Sequence, residues 1–184
     1  MKSVKSVKSA KSDFIAPIAV LSLICLVISG ALAITNSFTE PIITSAAELR
    51  ETAARKEMIP QADAYERIPI DGLPATIREA VRTTNDVGYV FTVVTNGYGG
   101  EVKVICGVGH DGNIIHSRVL EHSETEGLGS MIGDYSFSDQ FDGRSKDQIE
   151  DIDAITGATI STVAYVKAIR DALAAYEIVR ETGL

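Results

Sequence analysis

Residues 87–120 read VGYVFTVVTNGYGGEVKVICGVGHDGNIIHSRVL, and this stretch decides the expected fold. Three of its segments are rich in the β-branched and aromatic residues that favour strands, namely 87–95, 102–108 and 114–120. The glycine-rich break at 96–100 separates the first two segments, and Asp111-Gly112, a strong hairpin signal, separates the last two. We therefore expect three antiparallel strands joined by two short connections.

A long helix is expected over residues 160–180, after a glycine-punctuated loop at 121–130. Apolar residues recur at helical spacing in this segment, which is typical of a helix that packs on a sheet. The residues expected on its buried face are Ile160, Val163, Val166, Ile169, Leu173 and Tyr176. Strands followed by one closing helix predict an α+β domain with an antiparallel sheet.

The residues before the strands are expected to form a stalk helix and an irregular linker. Pro41 follows Thr39 and Glu40, which is a typical helix start, and Pro60 ends a modest apolar stripe. A short second helix is expected over 75–82. The stalk helix and the linker would connect the sheet to the segment before residue 41.

Residues 14–34 contain no Asp, Glu, Lys or Arg. As a helix this run spans roughly 30 Å, the thickness of a bilayer core, so we expect a transmembrane helix. Ala31-Leu32-Ala33 also resembles the processing site of a cleaved signal peptide, but the run is longer than the usual signal core, which favours an uncleaved anchor. Both alternatives export the rest of the chain.

The N-terminal residues 1–13 carry four lysines against one aspartate, which predicts a cytoplasmic N-terminus. Their low-complexity composition favours a disordered tail that is attracted to lipid surfaces. We divide the chain into a cytoplasmic basic tail (1–13), a transmembrane helix (14–34), a stalk helix and linker (35–82) and an exported domain (83–184). This topology predicts a single-pass protein of the inner (cytoplasmic) membrane with its domain on the extracytoplasmic side.

The charge of the chain argues against a nucleic-acid partner. The net charge is −8, and residues 14–184 carry 13 Lys and Arg against 24 Asp and Glu, so the exported part repels phosphate backbones. Cys25 and Cys106 stand in different expected elements, and no cysteine or histidine cluster indicates a metal site. We expect no metal, and expect His110, His116 and His122 to be surface or hydrogen-bonded residues.

Residues 153–159 read DAITGAT and lie where a loop is expected to enter the long helix. Free backbone N–H groups and the positive end of the helix dipole make such a place an anion site. Gly157 and Ala158 carry little bulk, so a phosphate can approach the backbone, and Thr159 offers a hydroxyl at the same point. The alternative is an ordinary helix cap by Thr156 or Thr159. The complete D-x-x-[ST]-G-A-T string favours the anion site, because about one in a few thousand sequences of this size would match it by chance.

A second string, EHSETEGLG at 121–129, stands in the loop between the last strand and the helix. Together the two strings resemble the FMN-binding subunits of ion-pumping respiratory complexes, namely RnfG of the Rnf complex and NqrC of the sodium-pumping NADH:quinone reductase. The corresponding loop of that family, H-x-E-T-P-G-L-G, lies against the flavin. Thr125 and the backbone N–H groups of such a loop can bond ring heteroatoms, while Leu128 can cover an apolar ring face.

The resemblance implies that residues 83–184 are an FMN-binding domain and that FMN is bound covalently, through a phosphoester to Thr159. It also implies a separate flavin transferase that attaches FMN from FAD. It covers nearly the whole chain, including the anchor, the Thr39-Glu40-Pro41 start of the stalk and the GYGG turn at 97–100. The candidate cofactor-binding residues are Thr159, Asp153, Thr156, Gly157, Ala158, Glu124, Thr125, Gly127 and Leu128.

Two features depart from the family pattern. Glu126 stands where the family usually has proline. The chain also has no Trp, and Phe137 or Phe141 stands where relatives often carry an aromatic residue, including Trp, near F-x-G-[KR]. Neither departure concerns Thr159.

The resemblance implies an electron-relay flavoprotein subunit of a membrane-bound, ion-translocating ferredoxin:NAD oxidoreductase, with the other membrane subunits of the Rnf complex and the lipid bilayer as partners. The compact length favours the Rnf subunit over an NqrC-like one. No G-x-G-x-x-G dinucleotide fingerprint is present, so the chain is not expected to oxidise NADH itself. The alternatives from other classes are an FMN module of a different extracytoplasmic reductase and a flavin-free anchored scaffold.

Overall fold

The computed structural model describes residues 4–69 and 71–183, with side chains from residue 15 onwards. The chain divides into two compact units, Met1–Glu48 and Leu49–Leu184. The first unit is helical throughout its described part, and the second contains the sheet and the closing helix.

Helix α1 runs from Val4 to Met58 and includes Pro17 and Pro41. Its apolar side chains between Ile15 and Ile34 are exposed, as a membrane-spanning helix requires. Among the described residues, α1 is the one helix that is long and apolar enough to cross a membrane. The expected transmembrane segment at 14–34 therefore lies within a longer helix.

Two expectations about α1 are wrong. No new helix begins at Pro41, because the helix continues through it, and the backbone of residues 4–13 is helical rather than irregular. A proline removes one backbone hydrogen bond, and the other backbone bonds of this long helix maintain it across that gap. Extension of an existing helix also costs far less than starting one, which accounts for the helical tail. The expected helix end before Pro60 is confirmed at Met58.

The sheet is antiparallel and has five strands in the order β1-β2-β3-β4-β5. The strands are β1 (Tyr65–Arg67), β2 (Ile77–Thr83), β3 (Gly88–Asn96), β4 (Glu101–Gly109) and β5 (Ile114–His122). Strands β3, β4 and β5 confirm the three that the sequence predicts. At the centre of these three strands, Cys106 of β4 pairs with Phe91 of β3 on one side and with Ser117 of β5 on the other.

The short helix expected over 75–82 is wrong, because these residues contribute most of β2. Their arginine, glutamate and alanine favour a helix locally, but pairing with β1 on one side and β3 on the other determines the conformation. The sheet thus includes β1 and most of β2 from residues 35–82, which were expected to form a stalk and linker.

The two faces of the sheet carry cores of unequal size. Along β4, Val102, Val104, Cys106 and Val108 point to the larger core, which helix α3 covers. Ile105 points to the opposite face, where it joins a small cluster with Met58 and Ile59 at the end of α1. Alternation along a strand explains this division.

Helix α3 (Thr159–Thr182) closes the domain, as expected. The expected buried face is partly wrong, because Ile160 and Val163 are 54% and 60% exposed. The buried stripe instead passes through Ser161, Tyr165 and Ala168. Small side chains on this stripe bring the helix close to the sheet, and a pattern based on large apolar residues misses them.

The connection between β5 and α3 contains short helical turns. These are 3₁₀ turns at Gly129–Gly133, Asp139–Phe141 and Lys146–Gln148 and the single-turn helix α2 (Tyr135–Ser138). Phe137 and Phe141 from this connection pack edge-on or tilted against the ring of Tyr165. The connection therefore completes the larger core and sets the position of the loop that enters α3.

Candidate functional site

A cavity of about 440 Å³ opens where three segments meet at the N-terminus of α3. These segments are the turn between β3 and β4, the loop after β5 and the first turn of α3 with the loop before it. The residues that line the cavity are Tyr98, Glu124, Thr125, Leu128, Gly129, Gly157, Ala158, Thr159, Ile160 and Ser161. The volume lies within the range of about 300–1,000 Å³ that is usual for small-molecule and cofactor sites.

The first turn of α3 offers unpaired backbone N–H groups to the cavity. Thr159 is the first helical residue, and Ala158 before it provides no side-chain hydrogen bond as an N-cap. The first intrahelical bond runs from the Thr162 N–H to the Ala158 carbonyl at 2.9 Å, so the amides of residues 159–161 precede the helical ladder. An uncapped helix start can bind an anion, and the exposed hydroxyl of Thr159 lies at the same place.

Gly157 shapes the entry to this turn. Its φ of +82° lies in the left-handed region, which favours glycine. A Cβ at this position would lie 3.1 Å from Leu128 Cδ1, so the two loops approach each other closely here. The two strings, at 121–129 and 153–159, are therefore in contact across the cavity.

The loop after β5 forms a compact turn. The Thr125 carbonyl accepts hydrogen bonds from the N–H groups of Leu128 (3.3 Å) and Ser130 (3.1 Å). The Gly127 N–H donates to Ser130 Oγ at 2.9 Å. Leu128 is 42% exposed and lies on the cavity wall, where it presents an apolar surface to a ligand. Gly127 stabilises the turn but does not line the cavity.

Glu124 is a buried acidic residue of the site, with 7% of its surface exposed. Its Oε1 accepts the Gly99 N–H at 3.1 Å, and its Oε2 accepts the Ser161 hydroxyl at 2.6 Å. One carboxylate therefore joins the β3–β4 turn, the loop after β5 and the first turn of α3.

Comparison with known proteins gives the family. A family model described as an FMN-binding domain matches residues 97–174. The G subunit of the Na(+)-translocating ferredoxin:NAD(+) oxidoreductase complex of Acetobacterium woodii is 32% identical, with 85% of this chain and 90% of that protein aligned. The G subunit of the ion-translocating oxidoreductase complex is 31% identical in Methanosarcina acetivorans (85% and 90% aligned) and 30% identical in Yersinia pestis (78% and 81% aligned).

The chain belongs to the family of G subunits of ion-translocating oxidoreductase complexes. This confirms the resemblance seen in the sequence, and the chain accordingly carries an FMN-binding domain. With its long apolar helix α1, this member of the family is a membrane-anchored protein with one candidate span in the described residues.

The residues of the cavity fit FMN. The open amides of the first turn of α3 suit its phosphate, and the lack of a side chain at Gly157 leaves room for that phosphate near the backbone. Leu128, Ile160 and Tyr98 provide apolar and aromatic surface for a planar ring. The cavity thus combines an anion site with an apolar wall, as an amphipathic nucleotide requires.

Three of the predicted site residues, Gly127, Asp153 and Thr156, lie outside the cavity lining. Asp153 and Thr156 are exposed. The backbone of Asp153 is bonded on both sides by the side-chain amide of Gln140, at 2.8 Å to its N–H and 3.4 Å to its carbonyl. Gln140 therefore fixes the loop that carries the first string, and Asp153 contributes to that loop through its backbone.

Four lining residues were not predicted as site residues, namely Tyr98, Gly129, Ile160 and Ser161. Tyr98 stands in the GYGG turn that the resemblance included, which was a usable signal. Ile160 was assigned to the helix core because of its apolar side chain. Ser161 could have been recognised only from the rotation of α3, which places it towards the loop after β5.

The three histidines contact different partners. His116 Nδ1 is 2.7 Å from Asp142 Oδ2, and His122 Nδ1 accepts the Glu124 N–H at 3.3 Å. Burial raises the pKa of the Asp142 carboxyl, while the hydrogen bond from His116 opposes that shift. In the described part of the chain no three metal-ligating side chains lie together. Burial also raises the pKa of the Cys106 thiol to about 12, so this thiol is unreactive.

Proposed function

We propose that this chain is the electron-relay flavoprotein subunit of an ion-translocating ferredoxin:NAD oxidoreductase complex and that it carries FMN on Thr159 through a phosphoester. The observation that carries the proposal is the position of Thr159, which is exposed, begins the uncapped helix α3 and lines a cavity that suits FMN. The family to which the chain belongs supports the place in the complex.

The position of Thr159 suits a phosphoester in particular. A phosphate on its Oγ1 would remain beside the amides of the first turn and at the positive end of the helix dipole. These groups compensate the negative charge of the phosphate without a lysine or arginine in the cavity lining. The ester would also keep the cofactor bound outside the cytoplasm, where lost FMN is not readily replaced.

Attachment requires a separate flavin transferase and FAD. The Thr159 hydroxyl would attack the phosphorus on the FMN side of the FAD pyrophosphate, with loss of its proton. The bond between the two phosphates would break and AMP would leave. Because Thr159 is exposed, this hydroxyl is accessible to a second protein.

The remaining residues of the cavity would bind and orient the flavin ring. Thr125 and the turn that it stabilises can donate to ring heteroatoms, and Leu128, Ile160 and Tyr98 can cover the ring. The bound FMN supplies reversible electron uptake and release, while the protein supplies attachment, orientation and polarity. No nucleophile–base pair is needed for this role.

The relatives are named as subunits of ion-translocating complexes, and this supports the other membrane subunits of such a complex as partners. We place the N-terminal tail (1–13) in the cytoplasm and the FMN-binding domain (83–184) on the extracytoplasmic side, because the lysines before the transmembrane segment (14–34) favour that orientation. Within residues 35–82, the part before β1 would connect the two as stalk and linker, whereas β1 and most of β2 belong to the sheet.

The Thr159→Ala variant tests the attachment. Produced with a flavin transferase, it should lose all covalent flavin, whereas the matched Thr159→Ser variant retains a hydroxyl and should keep a substantial fraction. The measurement is flavin fluorescence of the denatured protein band after gel electrophoresis. Fluorescence of Thr159→Ala equal to that of the wild type would contradict the proposal, because the phosphoester would then lie elsewhere.

A further inference from the structure

The site contains a buried carboxylate that the attachment of FMN does not require. Glu124 is 7% exposed and lines the cavity. No lysine or arginine among the described residues forms an ion pair with it, in contrast to Glu51 and Glu79, which do have such partners. An acidic side chain is rarely buried without a cationic partner, so its presence in this wall calls for a functional reason.

The surroundings of Glu124 hold its carboxylate in one place. Its two oxygens accept the Gly99 N–H and the Ser161 hydroxyl. A Cβ at Gly97 would overlap Oε1, and a Cβ at Gly129 would lie 2.6 Å from Oε2, so glycines make room for the group on two sides. Both oxygens act as hydrogen-bond acceptors, which is the arrangement that suits an ionised carboxylate.

The charges near this carboxylate do not cancel it. The partial positive charge at the start of α3 is the main compensation, and the phosphate of the cofactor would share it. His122 Nδ1 accepts the Glu124 N–H, so this ring nitrogen carries no proton in that bond. A fixed negative charge therefore remains in the wall of a cavity of low polarity, where its field is weakly screened.

We propose that the buried carboxylate of Glu124 lowers the reduction potential of the FMN bound in this cavity. The inference rests on the proposed function, in that it takes FMN to be the ligand. Full reduction adds two electrons to the flavin, with protons taken from the buffer, and a neighbouring negative charge disfavours the added electron density. A carboxylate in the wall thus makes the flavin a stronger electron donor.

The test compares Glu124→Gln with Glu126→Gln in the full-length flavinylated protein. Glu126 is two residues away on the same loop and is exposed outside the cavity lining, so solvent and salt screen its charge. The measurement is a dithionite titration followed by visible absorption. Glu124→Gln should shift the equilibrium between oxidised and reduced flavin about tenfold towards the reduced form, which corresponds to a reduction potential about 30 mV higher for two electrons. Glu126→Gln should shift it less than about twofold. Equal potentials for wild type and Glu124→Gln would overturn the inference.

Ser161→Ala provides a second measurement that does not depend on Glu124→Gln folding. This variant keeps the carboxylate but removes one of its donors, so the uncompensated charge increases and the potential should fall. An unchanged or raised reduction potential would overturn the inference. A raised value would mean that loosening of the cavity, and not charge, determines the potential of the flavin.

Failure of this inference is distinguishable from failure of the proposed function. The visible spectrum of the starting protein reports whether FMN is present before any titration begins. Colourless protein from cells that contain the flavin transferase would contradict the proposed function. Coloured protein whose potential does not respond to Glu124→Gln or Ser161→Ala would contradict only the role of Glu124.

Discussion

The two ends of helix α3 differ in what they contribute. From Ala164 to Val179 the helix buries a continuous stripe against the sheet, and Gly183 at φ +68° ends it with an N–H bond to the Val179 carbonyl. The first turn has no capping side chain and exposes Thr159 and Ile160. The body of α3 therefore stabilises the domain, while its start leaves backbone donors open for a ligand.

The largest expected effect on stability lies in the body of the helix. Tyr165 is fully buried, packs against Phe137 and Phe141, and donates a hydrogen bond to Ser117 Oγ at 2.8 Å. Tyr165→Ala should lower the free energy of unfolding by about 3–5 kcal/mol, because it removes a large ring and leaves a cavity. The measurement is urea unfolding of the full-length protein in detergent, followed by circular dichroism.

Tyr165→Phe is the matched control. It keeps the ring and removes one buried hydrogen bond, so the expected loss is about 1 kcal/mol. Equal losses for Tyr165→Ala and Tyr165→Phe would mean that the hydroxyl, and not the packing, dominates at this position.

Glycine substitutions compare the two ends directly. Gly157 and Gly183 both adopt positive φ, so alanine at either position should cost about 1 kcal/mol of stability. A Cβ at Gly183 meets open space, whereas a Cβ at Gly157 would press on Leu128 in the cavity wall. Gly157→Ala should therefore also reduce flavin content several-fold, while Gly183→Ala leaves flavin content unchanged. Absorbance at the flavin band relative to protein measures this difference.

An equal flavin content in Gly157→Ala and Gly183→Ala would contradict the assignment of the first turn as the binding end. It would mean that the contact between Gly157 and Leu128 has no bearing on the cofactor.

The smallest expected effect is at Val163, which the apolar pattern of the sequence placed in the core. Because this side chain is 60% exposed, Val163→Ala should change the free energy of unfolding by less than about 0.5 kcal/mol. The same urea unfolding measures it. A loss above about 2 kcal/mol would show that Val163 is buried in the folded protein and that the sequence pattern assigned the face correctly.

Most of the sheet could be predicted from local signals. The β-branched runs and the turns around Gly97–Gly100 and Asp111-Gly112 are consistent with the strands that form, because local preference and tertiary pairing agree there. For residues 77–82 they disagree, since a helix-favouring composition is held in β2 by its neighbours. Local preference cannot reveal such a conflict.

The candidate site was predictable only in part. Thr159, Gly157 and Leu128 belong to strings that can be recognised without a structure, and they do line or border one cavity. The bonds from Ser161 and Gly99 to Glu124 depend on how α3 is rotated and how the β3–β4 turn approaches the loop after β5. Contacts between segments far apart in the chain leave no local pattern in a single sequence.

Mass mapping of the tryptic peptide 147–167, from protein isolated from its own cells, tests the proposed phosphoester on Thr159. This peptide contains Thr156, Thr159, Ser161 and Thr162, so fragmentation distinguishes the hydroxyls. We predict one FMN phosphoryl adduct, located on Thr159. An unmodified peptide, or an adduct on any of the other three residues, would contradict it.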